Sequence, residues 1–557
     1  MLRPSRRHLG VPDRGWAMMT VLFAVLVMSV FATIAAAVVT GREGSSKREQ
    51  NYQAADQAAL AGVDDYVARL QADPNYFVLG DGDPSNPALS GYADMPGGSA
   101  VGQFTYRVNT SQAYTTGILT LTATGRAEGV DRTVTAELGK SDFLDYMYYT
   151  EYETLDPQAY QTAVQLPSGT NCAVFAYAGR SSSCSTISFG SFDVLKGPVH
   201  SDDEVVFNGN PTFQSTFTTQ WNDPAGKFWT CLSGSTCNPS FASPPALSNP
   251  GFPKTNLTLE QFADPSQGGK GCLFQGPTNI TLNWGGTMTV LSPETPSSFN
   301  TGACGSANWA TSGGVTVAVP TNQVVYVESP TGSFSCTTPT GFPYPLSSDT
   351  NTATGPTALK PSCSHGDVFV KGWLKGRLTI GAANNIYVTG NVRYQGTNTD
   401  QTISDNVPTS STQSPSTKDT SSTDVLGLSA NNFVEVLHSL TGCSSRSSTS
   451  GVCTSAANNG TPLTNLQIDA AIVASNDSFM VQDYDSGPVL GTLTVDGGII
   501  QKYRGPVATS ATGQTAVTGY AKDYNYDGRL LALTPPHLAS LTSSAWNPVT
   551  FGEGATQ

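Results

Sequence analysis

Trp16 to Val39 reads WAMMTVLFAVLVMSVFATIAAAVV, 24 residues without a charged side chain. Coiled as a helix, the stretch reaches about 36 Å, more than the roughly 30 Å of a bilayer's hydrocarbon core. It is long enough to span a membrane. Ahead of it, Met1–Gly15 carries Arg3, Arg6, Arg7 and Arg14 against the single acid Asp13, and short basic flanks stay on the cytoplasmic side. Everything after Val39 is then expected outside. A cleaved secretory signal is one competing reading, since Ala35-Ala36-Ala37 resembles a cleavage site, but its apolar region would be roughly 7–15 residues, shorter than this run. A plain single-pass anchor is another.

The sequence after the membrane segment separates these readings. Apolar positions recur at Tyr52, Ala55, Ala59, Val63, Val67 and Leu70, and Asp73-Pro74 supplies a stop. That three-to-four spacing is one face of a helix. A continuous helix from about Trp16 to Ala72 would be roughly 85 Å long. Gly41, Gly44, Ser45 and Ser46 fall near its middle and weaken it there, each glycine costing about 1 kcal/mol relative to alanine.

A basic leader ending in Gly15, an apolar half-helix from Trp16 and an Ala-rich amphipathic half, Asn51-Tyr52-Gln53-Ala54-Ala55-Asp56-Gln57-Ala58-Ala59-Leu60-Ala61-Gly62-Val63, together resemble type IV pilins, and most of all the PilX kind of minor pilin. The resemblance implies that prepilin peptidase cuts between Gly15 and Trp16, and that the apolar helix then packs with other pilins in a filament core. Thr20 stands at the assembly position, the fifth of the mature chain, where most major pilins carry Glu. A neutral residue there resembles minor pilins and tip pseudopilins more than a repeating major subunit.

Beyond the helix, residues 102–138 alternate. Phe104, Tyr106 and Val108, then Leu119, Leu121 and Ala123, then Val134, Ala136 and Leu138 each mark one face of a strand. Three short antiparallel strands after a long helix match the pilin head plan. Farther on, strand-like runs recur between turn residues: 204–207, 287–291, 324–327, 367–370, 377–380, 385–388 and 491–495. From Gly366 to Tyr394 they follow at intervals too short for helical crossovers, which suits a β-solenoid; a β-sandwich is the alternative. The expected fold class is α+β: a long N-terminal transmembrane helix with an antiparallel sheet, then a large all-β head. The expected division is 1–15 leader, 16–72 helix, 73–140 small β-sheet head, and 141–557 large exterior β-rich domain with a disordered loop at about 396–424. This large part resembles a bacterial family of pilin-like surface proteins through Ser141-Asp142-Phe143-Leu144-Asp145-Tyr146, Gly197-Pro198-Val199-His200-Ser201-Asp202-Asp203, and Tyr526-Asp527-Gly528-Arg529-Leu530 with Pro535-Pro536. That resemblance supplies no catalytic residue.

Composition narrows the function. Charged residues are 13% of the 557, net charge is −14, and only 28 Lys and Arg are spread along the chain. Phosphate binding needs clustered cations, so a nucleic-acid partner is not expected. All ten cysteines follow the membrane segment, an even number that suits disulfides. Sequential pairing gives Cys172–Cys184, Cys231–Cys237, Cys272–Cys304, Cys336–Cys363 and Cys443–Cys453, although spacing alone leaves the connectivity open. Asp523, Asn525 and Asp527 ahead of Gly528 match the first half of a calcium loop, but Thr534 stands where the bidentate carboxylate belongs, so a structural turn competes with calcium as a cofactor. His200-Ser201-Asp202-Asp203-Glu204 has hydrolase residue types, yet acyl-transfer triads are assembled from distant segments and a polar turn is favoured. The expected protein is a non-enzymatic minor pilin or tip subunit, single-pass in the cytoplasmic membrane and then displayed at the cell surface. Its exposed Thr, Ser, Asn and Tyr are expected to meet a surface or glycan ligand. An anchored exterior adhesion protein and a solenoid carbohydrate-active enzyme are the alternatives.

Overall fold

In the computed structural model, residues Trp16–Ala72 form a single 57-residue helix, α1. The structure describes residues 16–159, 166–223, 226–253, 255–331, 338, 340–343, 361–396, 421–438, 440–441, 457–458, 462–510, 516–538 and 545–553. The leader with Gly15, residues 397–420 of the expected loop, and Cys336, Cys443 and Cys453 lie outside these.

The backbone of α1 stays helical through Gly41–Ser46. Its second half lies on an antiparallel sheet of β1 (Ala93–Asp94), β2 (Gln103–Asn109), β3 (Ile118–Ala127) and β4 (Val130–Gly139). Ala55, Ala58, Ala59, Val63, Tyr66 and Leu70 are buried there. The face differs from the sequence reading at two places: Tyr52 is exposed, and Tyr66 is buried with Val67 only half-buried, because the Tyr66 ring meets Tyr76 and Tyr106 edge-on at 5.7 and 5.2 Å. Small residues on the helix let its backbone approach the sheet closely. A Cβ built on Gly125 of β3 would lie 2.1 Å from the Ala55 carbonyl oxygen, so helix and strand touch backbone to backbone. The sheet has a fifth strand that the alternation in 102–138 could not reveal. Asn547–Glu553, near the far end of the chain, pairs antiparallel with β4, so the large β body is inserted between two neighbouring strands of this small sheet.

The body begins with β5 (Tyr148–Tyr152) and is mostly β. Among the described residues its largest sheet has 22 strands, most of them paired in parallel where a sandwich would pair antiparallel. The expected strands are found, at Thr287–Leu291, Gln323–Glu328, Val368–Leu374, Arg377–Ala382, Ile386–Tyr394 and Val489–Tyr503, with Val206–Asn208 shifted slightly from its expected place. Parallel register stacks like on like. One column runs Cys272, Val325, Ile380, Leu428, Ile472, Ile499, Tyr148, Val199, Phe217 through successive strands; a second runs Ile280, Val370, Val388, Val436, Val481. All are buried in one apolar core. Each strand alone exposes its apolar row, and only the strand on either side covers it. The order is not sequential: β5, the first strand of the body, lies beside Val489–Tyr503, the end of the later series. A second core joins body and small sheet, with Leu121 and Leu138 from the sheet meeting Phe143, Tyr149, Ile500, Leu530 and Trp546.

Candidate assembly helix and head sites

Among the described residues, none covers the first half of α1. Ala17–Val38, 22 residues with mean hydropathy 2.7, is wholly unburied, and Met18, Phe23, Met28 and Phe31 are each more than 65% exposed at 75, 71, 73 and 67%. Thr20 spends its hydroxyl within the helix, donating to the Ala17 carbonyl at 2.9 Å. Trp16 is the first helical residue. A side-chain row this apolar is at home in lipid or against other apolar helices, at about 25 cal/mol per Å² removed from water.

The three short segments that carry the surface-family resemblance are brought to one junction. Asp142 and Asp145 form a capping box that holds Phe143 and Leu144 in the shared core. The Tyr526 hydroxyl donates to the Leu144 carbonyl at 2.7 Å, and the Pro198 carbonyl accepts from Met147 N–H at 2.8 Å. A Cβ on Gly197 would sit 2.4 Å from the Tyr526 Cβ, so glycine is needed for this approach. Arg529, 1% exposed, grips both Asp527 oxygens, donates to the Ser422 carbonyl at 3.0 Å and lies over the Tyr394 ring. Lys140 reaches across to Thr534 Oγ1 at 2.6 Å. These marks therefore build the seam between body and small sheet. Removing Arg529 strands a buried carboxylate, so Arg529→Ala should destabilise the fold by about 3–5 kcal/mol, read by denaturant unfolding, and Asp527→Asn in the same chain should recover part of the loss.

The same geometry places the half-loop expected for calcium. Asp523 and Asn525 lie along the strand Thr518–Tyr526, while Asp527 caps the turn after it. Asp523 pairs with Lys196 at 2.5 Å, and Asp527 is taken by Arg529. Asp523 and Asp527 are thus engaged by different cations, where a calcium loop wraps its oxygens round one point. Among the described residues no three His, Cys, Asp or Glu converge as metal ligands.

His200 and Asp202, expected in a polar turn, do meet. His200 Nε2 lies 2.8 Å from Asp202 Oδ1, its Nδ1 lies 2.8 Å from the Thr218 hydroxyl, and Tyr149 donates to Asp202. Strand Val199–Ser201 is buried throughout, and both imidazole nitrogens are engaged. The arrangement is a sealed polar network beneath Tyr146 and Phe252. Disulfides Cys172–Cys184, Cys231–Cys237 and Cys272–Cys304 brace loops of the body, and Cys363 is also bonded. Closing the 32-residue separation of the last named pair restrains the unfolded chain by about 3–4 kcal/mol.

Parallel stacking also aligns acids, which the sequence does not reveal because partners are fixed by register. Asp469 faces Asp496, which faces Asn525. Burial, then the Asp469 charge, pushes Asp496 up to about 7. Burial pushes Asp145 up to about 7, with Asp142 adding to it; it raises Asp367 and Asp477 to about 6. A carboxylate whose folded pKa exceeds its unfolded value of about 4 holds a proton more tightly in the folded state, so stability falls as pH rises from about 4 to 7. Carboxylates shifted downward, such as Asp131 and Asp264, lose their contribution only at lower pH. The melting temperature is therefore expected to be higher at pH 5 than at pH 8, and Asp496→Asn should raise it clearly more at pH 8 than at pH 5.

No family model and no curated protein matches the chain. Among solved structures, the chain is similar to the competence-associated pilin ComZ from Thermus thermophilus, with 12% identity over 90% of this chain and 97% of that one, at a TM-score of 0.26. At that score the likeness carries no argument about fold or function, and what the chain itself establishes is an exposed N-terminal apolar helix followed by a large, mostly β body with three described disulfides.

Proposed function

We propose that this protein is a minor pilin or pilin-like tip subunit of a type IV pilus or related secretion filament, in which α1 anchors and assembles while the inserted body is displayed outside. One observation carries the reading: an unburied apolar half-helix continues without a break into a half that packs on an antiparallel sheet. Prepilin peptidase would act between Gly15 and Trp16, and Thr20 would then stand fifth in the mature chain, a neutral residue at the assembly position. A body of this size crowds a repeating shaft, which favours the tip. The parallel ladders and their stacked columns support a β-solenoid head. We read the head as non-catalytic: the His200–Asp202 pair, whose residue types suit a hydrolase, is buried with both imidazole nitrogens engaged. The location that follows is the cytoplasmic membrane, single pass with an exterior C-terminal part, and then the pilus surface. Amino-terminal sequencing of the exported protein tests this. A chain beginning at Trp16 is expected; an intact Met1 would favour a plain membrane anchor, and a start after Ala37 ordinary secretion.

A further inference from the structure

We propose that the cavity between the 185–195 segment and the strands around Arg504 and Tyr524 is a binding site for a neutral saccharide. It measures about 540 Å³, within the roughly 300–1,000 Å³ usual for small-molecule sites. It opens where the three-stranded ladder of Phe189–Gly190, Val206–Asn208 and Thr230–Cys231 stands beside the main one.

Its walls combine flat rings with groups that donate and accept. Tyr148 and Tyr524 stack with ring centroids 6.4 Å apart, Phe189 stands edge-on to Tyr148, and Tyr520 completes the wall. Tyr524 is 4% exposed and lines the cavity, and its hydroxyl meets no hydrogen-bond partner among the described residues. A hydroxyl that opens on a cavity and is left unanswered by protein takes its partner from water or from a bound molecule. At the mouth, Phe192 presents a ring that is 51% exposed.

The charges decide the ligand class. Arg504 is held by Glu153 at 2.9 Å and lies over the Phe189 ring, and Lys522 is held by Asp193 at 2.8 Å. Both cations are therefore already answered by carboxylates, and Asp485 adds a further negative charge to the lining. A phosphate or carboxylate ligand finds no unpaired cation here. An apolar ligand would leave the Tyr524 hydroxyl and the ion pairs facing nothing they can bond. A sugar answers both demands, with a C–H face against the exposed Phe192 ring and hydroxyls toward Tyr524, Asp193 and Lys522. The pocket was hidden in the sequence because its sides come from segments more than 300 residues apart, Tyr148 and Tyr524 among them. Only the alternation in Thr518–Tyr526, which turns Tyr524 inward between Asp523 and Asn525, hinted at an inward ring.

The test uses the full chain, unassembled, in a sugar-free detergent, so its outcome does not depend on filament assembly. Maltose, cellobiose, lactose and N,N′-diacetylchitobiose are titrated and followed by calorimetry and saturation-transfer NMR, with sialyllactose and choline as charged contrasts. At least one neutral sugar is expected to bind. Tyr524→Phe, which removes only the hydroxyl, should weaken it roughly three- to tenfold, and Phe192→Ala, at the exposed rim, roughly tenfold, with unchanged circular dichroism. The proposal is overturned if no neutral sugar binds, if only sialyllactose or choline binds, or if neither variant weakens the binding.

Discussion

Gly125→Ala should pry the helix from its sheet. The added Cβ would lie 2.1 Å from the Ala55 carbonyl oxygen and 2.2 Å from the Ala59 nitrogen, both backbone atoms of α1 that cannot swing aside as a side chain can. Ordinary carbon contacts need roughly 3.5–4.0 Å, so α1 must lift by more than an ångström, opening the seat of Ala55, Ala58 and Ala59, each 0% exposed. Overpacking of a well-filled core costs about 1–3 kcal/mol, and a clash against backbone belongs at the top of that range or beyond. Gly62→Ala on the facing helix is the natural control. Its Cβ would meet Phe104 Cδ2 at 3.2 Å, Phe104 Cβ at 3.3 Å and Ala123 Cβ at 3.4 Å, side-chain contacts that a shift of a few tenths of an ångström relieves. Thermal unfolding and limited proteolysis between α1 and β2 should therefore show a large loss for Gly125→Ala and a small one for Gly62→Ala. Equal effects would mean that the close helix–sheet approach is not what holds this region.

A charge in the middle of the naked half-helix should be as damaging, for a different reason. Leu26 lies near the centre of Ala17–Val38 and is 62% exposed, so Leu26→Arg leaves every contact within the folded body untouched. Placing arginine for leucine at a bilayer centre costs about 3–4 kcal/mol on insertion scales, a few hundredfold in the insertion equilibrium. Membrane fractionation should show the variant lost from the membrane fraction, while the isolated protein keeps its β circular dichroism and its melting temperature. A fall in melting temperature equal to that of Gly125→Ala would mean instead that Leu26 packs within the protein.

These two sites also show which parts of the molecule could be read from the sequence. The helix was legible because its signals are local: an uncharged run, a basic flank, and apolar positions three and four apart. The alternation in 102–138 likewise marked β2, β3 and β4. What escaped were choices of partner. Nothing near Asn547–Glu553 says that it lies beside β4, and nothing in Tyr148–Tyr152 says that it lies beside Val489–Tyr503. Parallel register, which stacks Asp469 on Asp496 and Val370 on Val388, is set by pairing between strands far apart in the chain. His200 and Asp202 show the converse. Neighbours two apart were read as a polar turn; His200 instead lies in the strand Val199–Ser201, and it is joined to Asp202 just beyond by a hydrogen bond because burial removes the water that would otherwise separate them. The Asp523–Gly528 spacing resembles a cation loop, yet strand geometry sends Asp523 to Lys196 while Asp527 turns to Arg529.

The central claim is that Ala17–Val38 rests in lipid and later meets the helices of other subunits, never its own head. The most direct measurement places a photo-cross-linking residue at Phe23, which is 71% exposed, in the full chain in cells. The account predicts cross-links to lipid before assembly and to the N-terminal helix of another subunit in filaments. Cross-links from Phe23 into residues 73–557 of its own chain, in a water-soluble protein, would contradict it.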